Sequence, residues 1–542
     1  MLQDIGDCSF VALDFEFSGI FNQKLRPASS YTDGDLSLQK RYEEVKQAAE
    51  EYQILQVGIT LVIEDRTYSL RPYNIPLNPI LDPKLDIERK WSFQSSAVAF
   101  LMSHGFRMES IFTEGVPYIS QKEEQDVKDR VMRGNSTISP INLNTLGADQ
   151  AEFIKLVRQD VKEWTEKDDP KDSYLNIPRP AGITTANRLP RELDNYQKRL
   201  VHQIIKSEFP GYVTMGKKSF VQIIPYDKER EAKIAEKKLL RARSNIANQK
   251  GFSWVIEALT RGELSGLDLR FFWRPDGMFT VAEGNKLTKE SETIREKLKS
   301  GQPVLVGHNL FTDLVNFYKC FIGDLPELVD DFQQAIHELF PLVVDTKYMA
   351  THGGILRDAF SALSTLNETL GSREVPKFAI DPDHSGYAAS APIHEAGYDS
   401  LMTAQIFLKL AVQLYETSSS REALIQQTNG DAAEIDLMDL STALDEPAKK
   451  GDEKTTQDKF VYGHTTRFDL LLDMDAEDSS STGSSEQDKF VDQKVIAGKL
   501  LPRFNDEFWT EYANKLRVFG TAEEMCDLGA HKASALEPKI IN

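Results

Sequence analysis

At 542 residues and 40% hydrophobic content, the chain is long enough for roughly two to four domains, each with its own core. Three cysteines, Cys8, Cys320 and Cys526, are too few and too scattered for a disulfide framework or a zinc ribbon, which fits a reducing intracellular compartment. No apolar run is long enough to cross a membrane and the start carries no cleavable signal pattern, so no membrane partner is expected; a formal net charge of −20 leaves nucleic acid only local basic surface.

In chain order, the first informative element is the apolar run Val11–Phe17, which reads as a buried strand. Side chains two apart on a strand share a face, so Asp14 and Glu16 project together. Neighbouring carboxylates in a fold interior repel unless protons or cations neutralise them, and hard oxygen donors suit Mg²⁺ or Mn²⁺. Gln56–Val62 and Thr67–Tyr73 read as further strands separated by turn residues. Strands first, then alternating strands and helices, suit a mixed α/β sheet.

Positive charge concentrates between about residues 187 and 250, where the long gap from Asp14 to Asp313 also shows that something is inserted in the fold. There, Pro190–Gln203 reads as a helix and Phe220–Pro225 as a strand; Asp227–Gln249 is a charged connecting helix, and Gly251–Ile256 looks like re-entry into the core. A plain solvated basic helix accounts for Lys198 and His202 equally well.

Further on, the strand Pro303–Val306 runs through His308 into a helix with Asp313 in its first turn, and Leu342–Lys347 is a later strand. His394 is expected on the loop entering a helix over Ser400–Tyr415, with Asp399 on the helix itself. Strand ends in α/β sheets are where ligands sit. Four carboxylates, Asp14, Glu16, Asp313 and Asp399, suit two cations about 4 Å apart on a scissile phosphate, and the imidazole of His394 suits the general base for the attacking water. Singly, Asp313 could simply favour its helix N-terminus and His394 could be an ordinary loop histidine; His308 reads as a packing or hydrogen-bonding residue. Beyond residue 415 the composition turns to Ser, Thr, Asp and Glu, with linkers expected over Glu416–Lys459 and Asp473–Asp488 and short docking segments over Gly463–Leu472 and Leu500–Val518.

The order Asp14-x-Glu16, Asp313, His394-x4-Asp399 resembles the DEDD exonucleases of the His-containing subclass. More narrowly, Asp14–Ile20, Val306–Asn309, Val344–Lys347 and His394–Asp399 are similar to the poly(A)-specific ribonuclease branch of the deadenylase superfamily, as is the stretch from Ser103–Phe106 through Gly115–Gln121. The resemblance covers roughly residues 1 to 415. It implies an α/β, RNase H-like mixed-sheet nuclease domain in two parts, 1–165 and 251–415. Between them, 166–250 is expected to hold a small inserted α/β single-strand-binding domain and the charged helix, and 416–542 a partly disordered tail. The insert is similar to the domain named for an Arg-x3-His signature, with Lys198 in place of the arginine and His202 retained, a change that puts bidentate phosphate contact in doubt.

What the resemblance implies is a divalent-metal-dependent 3′-to-5′ exoribonuclease acting on single-stranded RNA 3′ ends, poly(A) first, and releasing 5′-AMP. Two Mg²⁺ ions, or Mn²⁺, are expected on Asp14, Glu16, Asp313 and Asp399, with Phe17, Ile20 and Lys347 approaching the RNA. A homodimer in nucleus and cytoplasm is also implied. Trimming of small non-coding RNAs, a catalytically silent RNA-binding scaffold and a DNA exonuclease stay open. Asn514–Phe519 is similar to the first strand of an RNA-recognition domain, but too few residues follow to complete one, so cap recognition is not expected.

Overall fold

The computed structural model describes residues 1–20, 36–64, 67–133, 141–142, 145–166, 174–180, 189–269, 280–355, 362–389, 394–428 and 501–530. It divides into two compact units, one of Met1–Glu123 with Ala247–Asn542 and one of Glu124–Ile246. The strands in chain order are β1 (Phe10–Phe17), β2 (Ile54–Glu64), β3 (Tyr68–Asn78), β4 (Val116–Pro117), β5 (Leu175–Ile177) and β6 (Tyr212–Gly216). After them come β7 (Val221–Pro225), β8 (Val304–Gly307), β9 (Val343–Asp345), β10 (Phe378–Ile380), β11 (Lys515–Arg517) and β12 (Met525–Asp527).

The larger unit is built on a mixed sheet of order β10-β3-β2-β1-β8-β9, with β4 against β3. β1, β2 and β3 form an antiparallel meander, whereas β8 and β9 run parallel to β1 on its other side. Strand alternation sorts the residues onto two cores. Val11, Leu13 and Phe15 of β1 and Val57, Ile59 and Leu61 of β2 pack on one face, beneath the helices Leu38–Glu51, Ser253–Leu259, Phe311–Phe317 and Val329–Leu339. Phe10 and Ala12 of β1 and Val62 of β2 face the other way, against Leu401, Ile406, Phe407 and Leu410 of the helix Ala396–Thr428. Asp14 and Glu16 continue the row begun by Phe10 and Ala12, which puts the carboxylates on the face this helix covers.

The smaller unit packs helices on the sheet β5-β7-β6. Its core joins Leu175, Ile177, Val221 and Ile223 to Leu200, Val201, Ile204 and Ile205 of the helix Asn195–Glu208. Asp194 starts that helix through a reciprocal capping box with Gln197. The compact unit begins before residue 166, because the helix Ala148–Thr165 turns Phe153, Ile154, Val157 and Val161 into this same core. At spacings of three and four residues these four line one helical stripe, which needs an apolar partner.

One expectation for the C-terminal part changes. The last long helix does not stop near Tyr415 but runs to Thr428, since extending a helix that is already formed adds one hydrogen bond per residue fixed. The segment 501–530, which contains the expected docking segment Leu500–Val518 from its second residue on, is part of the larger unit: β11 pairs antiparallel with β12, and Leu516, Val518, Cys526 and Leu528 belong to its core. Phe504 and Trp509 stack with Phe407 on the opposite face. The linkers beyond residue 428 and the docking segment Gly463–Leu472 lie outside the described residues. Trp509 is 2% exposed, so Trp509→Ala is expected to cost about 3–5 kcal/mol in chemical denaturation of the full chain. A change within ±0.5 kcal/mol, the usual range for surface substitutions, contradicts docking of this segment.

Candidate active site and metal centre

Ala12, Val306 and Val344 are aligned across the three parallel strands β1, β8 and β9. The candidate residues carried on or just after these three strands come beyond this line, toward the strands' carboxyl ends, where open α/β sheets bind ligands. On β1 these are Asp14 and Glu16; after β8 the chain turns through Asn309 into the helix Phe311–Phe317 with Asp313 in its first turn. After β9, Lys347 sits in the first turn of the helix Thr346–His352.

Asp399 arrives from the far end of the sequence, and β2 explains how. Across the β1–β2 ladder Asp14 faces Gly58 and Glu16 faces Gln56, while Thr60 faces Ala12, so these β2 residues share the carboxylate face. The helix Ala396–Thr428 seats its first turn there. Gln56 Oε1 accepts from Ala396 N at 3.0 Å, Asn74 Oδ1 accepts from Gly397 N at 3.3 Å, and the Thr60 and Ser400 hydroxyls meet at 2.9 Å. The early N–H groups of a helix lack partners within it, so these side-chain oxygens fix its end. Gly58 makes the approach possible: a Cβ there falls 1.7 Å from the Ala396 carbonyl oxygen.

The result is a cluster in which Asp14, Glu16 and Asp399, all buried, each offer a carboxylate oxygen within 4.8 Å of the others. Three buried carboxylates so close need a cation or protons to coexist. An all-oxygen donor set fits Mg²⁺ or Mn²⁺ and does not resemble the sulfur and imidazole sets that favour zinc. Asp313, 9% exposed in the first turn of the helix Phe311–Phe317, is not one of this group of three.

His394 lies just before the helix, with φ at 67°. A non-glycine residue rarely holds this left-handed conformation, and such strain gathers at functional sites. Its ring centroid is 4.4 Å from His104 and 5.2 Å from Phe100, both edge-on. Asn309, at φ 59°, marks the other entry, and its N–H donates to Asp345 Oδ1 at 2.8 Å. Fully buried Asp345 also accepts from Lys347 N and Arg517 N. Burial pushes its carboxyl up, while the backbone N–H donors, Asn309 first, pull it down. His308, expected to pack or hydrogen-bond, meets Thr346 Oγ1 at 2.9 Å through Nδ1.

The remaining expected RNA contacts divide between the units. Phe17 is partly buried beside Phe15, Ile20 N donates to Gln94 Oε1 at 3.0 Å, and Lys347 is buried with Nζ over the Phe519 ring. In the smaller unit, Lys198 Nζ donates to the Lys218 carbonyl at 2.9 Å, and His202 Nδ1 lies 2.6 Å from Thr214 Oγ1. Sequence reasoning missed Gln56, Gly58, Asn74 and Asp345. A polar residue and a glycine at alternate positions of the apolar strand Gln56–Val62 were the available signal.

Residues 1–407 match the family described as CAF1 family ribonuclease. Poly(A)-specific ribonuclease PARN of Xenopus laevis is 24% identical over 432 residues, covering 75% of this chain and 59% of that protein, so the chain spans well under two thirds of that relative's length. Poly(A)-specific ribonuclease PNLDC1 of Mus musculus is 25% identical over 448 residues, covering 80% of this chain and 71% of that protein. The solved structure of S. pombe Pop2p in its Mg²⁺ and Mn²⁺ bound form is similar at 12% identity and a TM-score of 0.31, over 76% of this chain and 87% of that one. A likeness that loose fixes neither fold nor site.

Gly58→Ala is expected to push the Asp399 helix off β2, costing about 1–3 kcal/mol as overpacking does and abolishing any thermal stabilisation by Mn²⁺. The control Gly284→Ala, with nothing within 4 Å of the new Cβ, is expected to leave both intact. Retained Mn²⁺ response in Gly58→Ala argues against this seating.

Burial, helped by the Lys198 cation, lowers the pKa of His202 below the ordinary histidine value. Between that lowered value and about 6.5 the unfolded chain binds a proton that the folded unit excludes, so this contribution to stability is complete above about pH 6.5 and lost as pH falls through the folded value. Hydrogen exchange of the β6 and β7 amides is therefore expected to accelerate from about pH 7 to about pH 5 after correction for intrinsic rates, and less so in His202→Gln. Equal pH dependence in both proteins contradicts the assignment.

Proposed function

Because this chain belongs to the CAF1 ribonuclease family, we propose that it is a divalent-metal-dependent 3′-to-5′ exoribonuclease that shortens poly(A) or oligo(A) tails and releases 5′-AMP. The observation that carries the reading is the buried Asp14, Glu16 and Asp399 cluster, each residue with an oxygen within 4.8 Å of the others. The relatives from Xenopus laevis and Mus musculus, both poly(A)-specific ribonucleases by name, agree with it.

In this proposal Asp14, Glu16 and Asp399 hold Mg²⁺ or Mn²⁺, and Asp313 completes the set from the neighbouring helix. A bound pair of ions supplies Lewis acidity at the scissile phosphate and charge for the departing 3′ oxygen. His394 takes the proton of the attacking water at a ring nitrogen, and its position just before the Asp399 helix ties that base to the ligand set. Phe17 and Ile20 supply apolar contact to the terminal nucleotide, since unpaired bases are gripped by stacking and apolar surface. Lys347 neutralises phosphate nearby. The unit Glu124–Ile246, with Lys198 and His202, is proposed as the inserted single-strand-binding domain. A homodimer and a nuclear and cytoplasmic setting are proposed from the sequence resemblance alone.

The test uses end-labelled RNAs of equal length ending in A20, U20 or mixed sequence, with Mg²⁺ or with EDTA. The expected outcome is a ladder with AMP release from A20, abolished by EDTA and by Asp14→Ala. His394→Ala is expected to lower kcat by about 10² to 10⁴, the range of a lost general base. Equal shortening of all three tails favours general 3′ trimming over deadenylation, and tight RNA binding without cleavage leaves a scaffold.

A further inference from the structure

The hairpin β11–β12 lies beyond the residues that match the family, 1–407, yet it is bonded into the strand ends described above. Asn514 N donates to the Val343 carbonyl at 2.7 Å and Val343 N donates to Asn514 Oδ1 at 2.9 Å, which docks the hairpin on β9. Arg517 N donates to Asp345 Oδ2 at 3.0 Å, on the carboxylate whose other oxygen holds Asn309 and Lys347. One buried aspartate thus joins the hairpin, the loop leading to Asp313 and the helix carrying Lys347.

This bonding brings together side chains that lie far apart in sequence. Lys347 Nζ is 5.5 Å from the centroid of the Phe519 ring, and Arg517 Cζ is 5.1 Å from the same centroid. The ring quadrupole attracts each of these cations, so one aromatic side chain of the hairpin is shared by Lys347 and Arg517. Arg517 Nη1 meets Glu524 Oε2 at 2.9 Å; the Arg517 side chain is 17% exposed and the Glu524 side chain 63%, so the carboxylate is the solvent-facing half of the pair and the one a competing anion displaces. The planar guanidinium matches phosphate geometry.

We propose that Arg517, set beside Lys347 by the Phe519 ring, is a phosphate contact for the RNA strand leading into the carboxylate cluster, and that Glu524 occupies the guanidinium until RNA displaces it. This rests on the nuclease reading above. It assigns the segment 501–530 a part in substrate binding, with Phe519 as a positioning residue.

The experiment measures binding of fluorescein-labelled A15 RNA by the full chain across a series of salt concentrations, in an Asp14→Ala background that prevents hydrolysis. Arg517→Gln is expected to weaken binding and to flatten the slope of log affinity against log salt by about 0.7, as follows when one fewer phosphate is neutralised on a single strand. Arg517→Lys is expected to retain the slope, and Glu524→Gln to tighten binding. The Arg517 backbone N–H to Asp345 survives every substitution, and thermal melts check that each variant folds. Unchanged slope and affinity in a folded Arg517→Gln protein overturn the proposal, as does weaker binding with no change in slope. The chain with Asp14 restored is assayed for cleavage in parallel. Cleavage with an unaffected Arg517→Gln removes this inference alone, whereas RNA binding without cleavage, with the slope change present, keeps the phosphate contact and removes the nuclease reading.

Discussion

The arrangement depends on the close approach of one helix end to one strand. The helix Ala396–Thr428 reaches β2 at Gly58, where no side chain fits, and is pinned there by Gln56, Asn74 and Thr60. Because Gly58 stands opposite Asp14 in the ladder, the same approach brings Asp399 beside Asp14 and Glu16. A helix N-terminus carries partial positive charge, which favours carboxylates in its first turn and on the face it covers. Geometry and electrostatics act here in one direction. The remaining repulsion among three buried carboxylates is what makes a divalent cation their natural complement.

A second organising group lies at the other strand ends. Asp345 is buried, and its two oxygens accept backbone N–H groups from the loop after β8, from the helix after β9 and from β11. A carboxylate used in this way acts as a structural cross-link, and removing it would leave several buried donors without partners. It also makes the hairpin near the C-terminus integral to the larger unit. The edge strand β9 is thereby covered, which removes an exposed ladder that could pair with other chains.

Much of this was legible in the sequence where the information is local. The period-2 alternation of β1 placed Asp14 and Glu16 on one face, and the strand-to-helix transitions put Asp313 and Asp399 in first turns. The charged helix and the re-entry near Gly251 read correctly as elements, for they carry their own composition signals. What escaped depends on partners distant in sequence. Gly58 looks like any strand glycine until Ala396 is known to lie on it. The apolar stripe of Ala148–Thr165 announces a buried face, but only the packed core shows which unit buries it. Docking of Leu500–Val518 was expected, but a lone strand does not name its partner, which is here β12 beside β9.

That Asp14, Glu16 and Asp399 form a divalent-cation site is the claim on which the functional reading stands. Crystals soaked in Mn²⁺, with anomalous scattering recorded, test it without reference to activity. Manganese is predicted between these three carboxylates, with Asp313 turned toward it. Saturating Mn²⁺ with no anomalous peak at the cluster would contradict the claim and leave the three acids to be explained by shared protons.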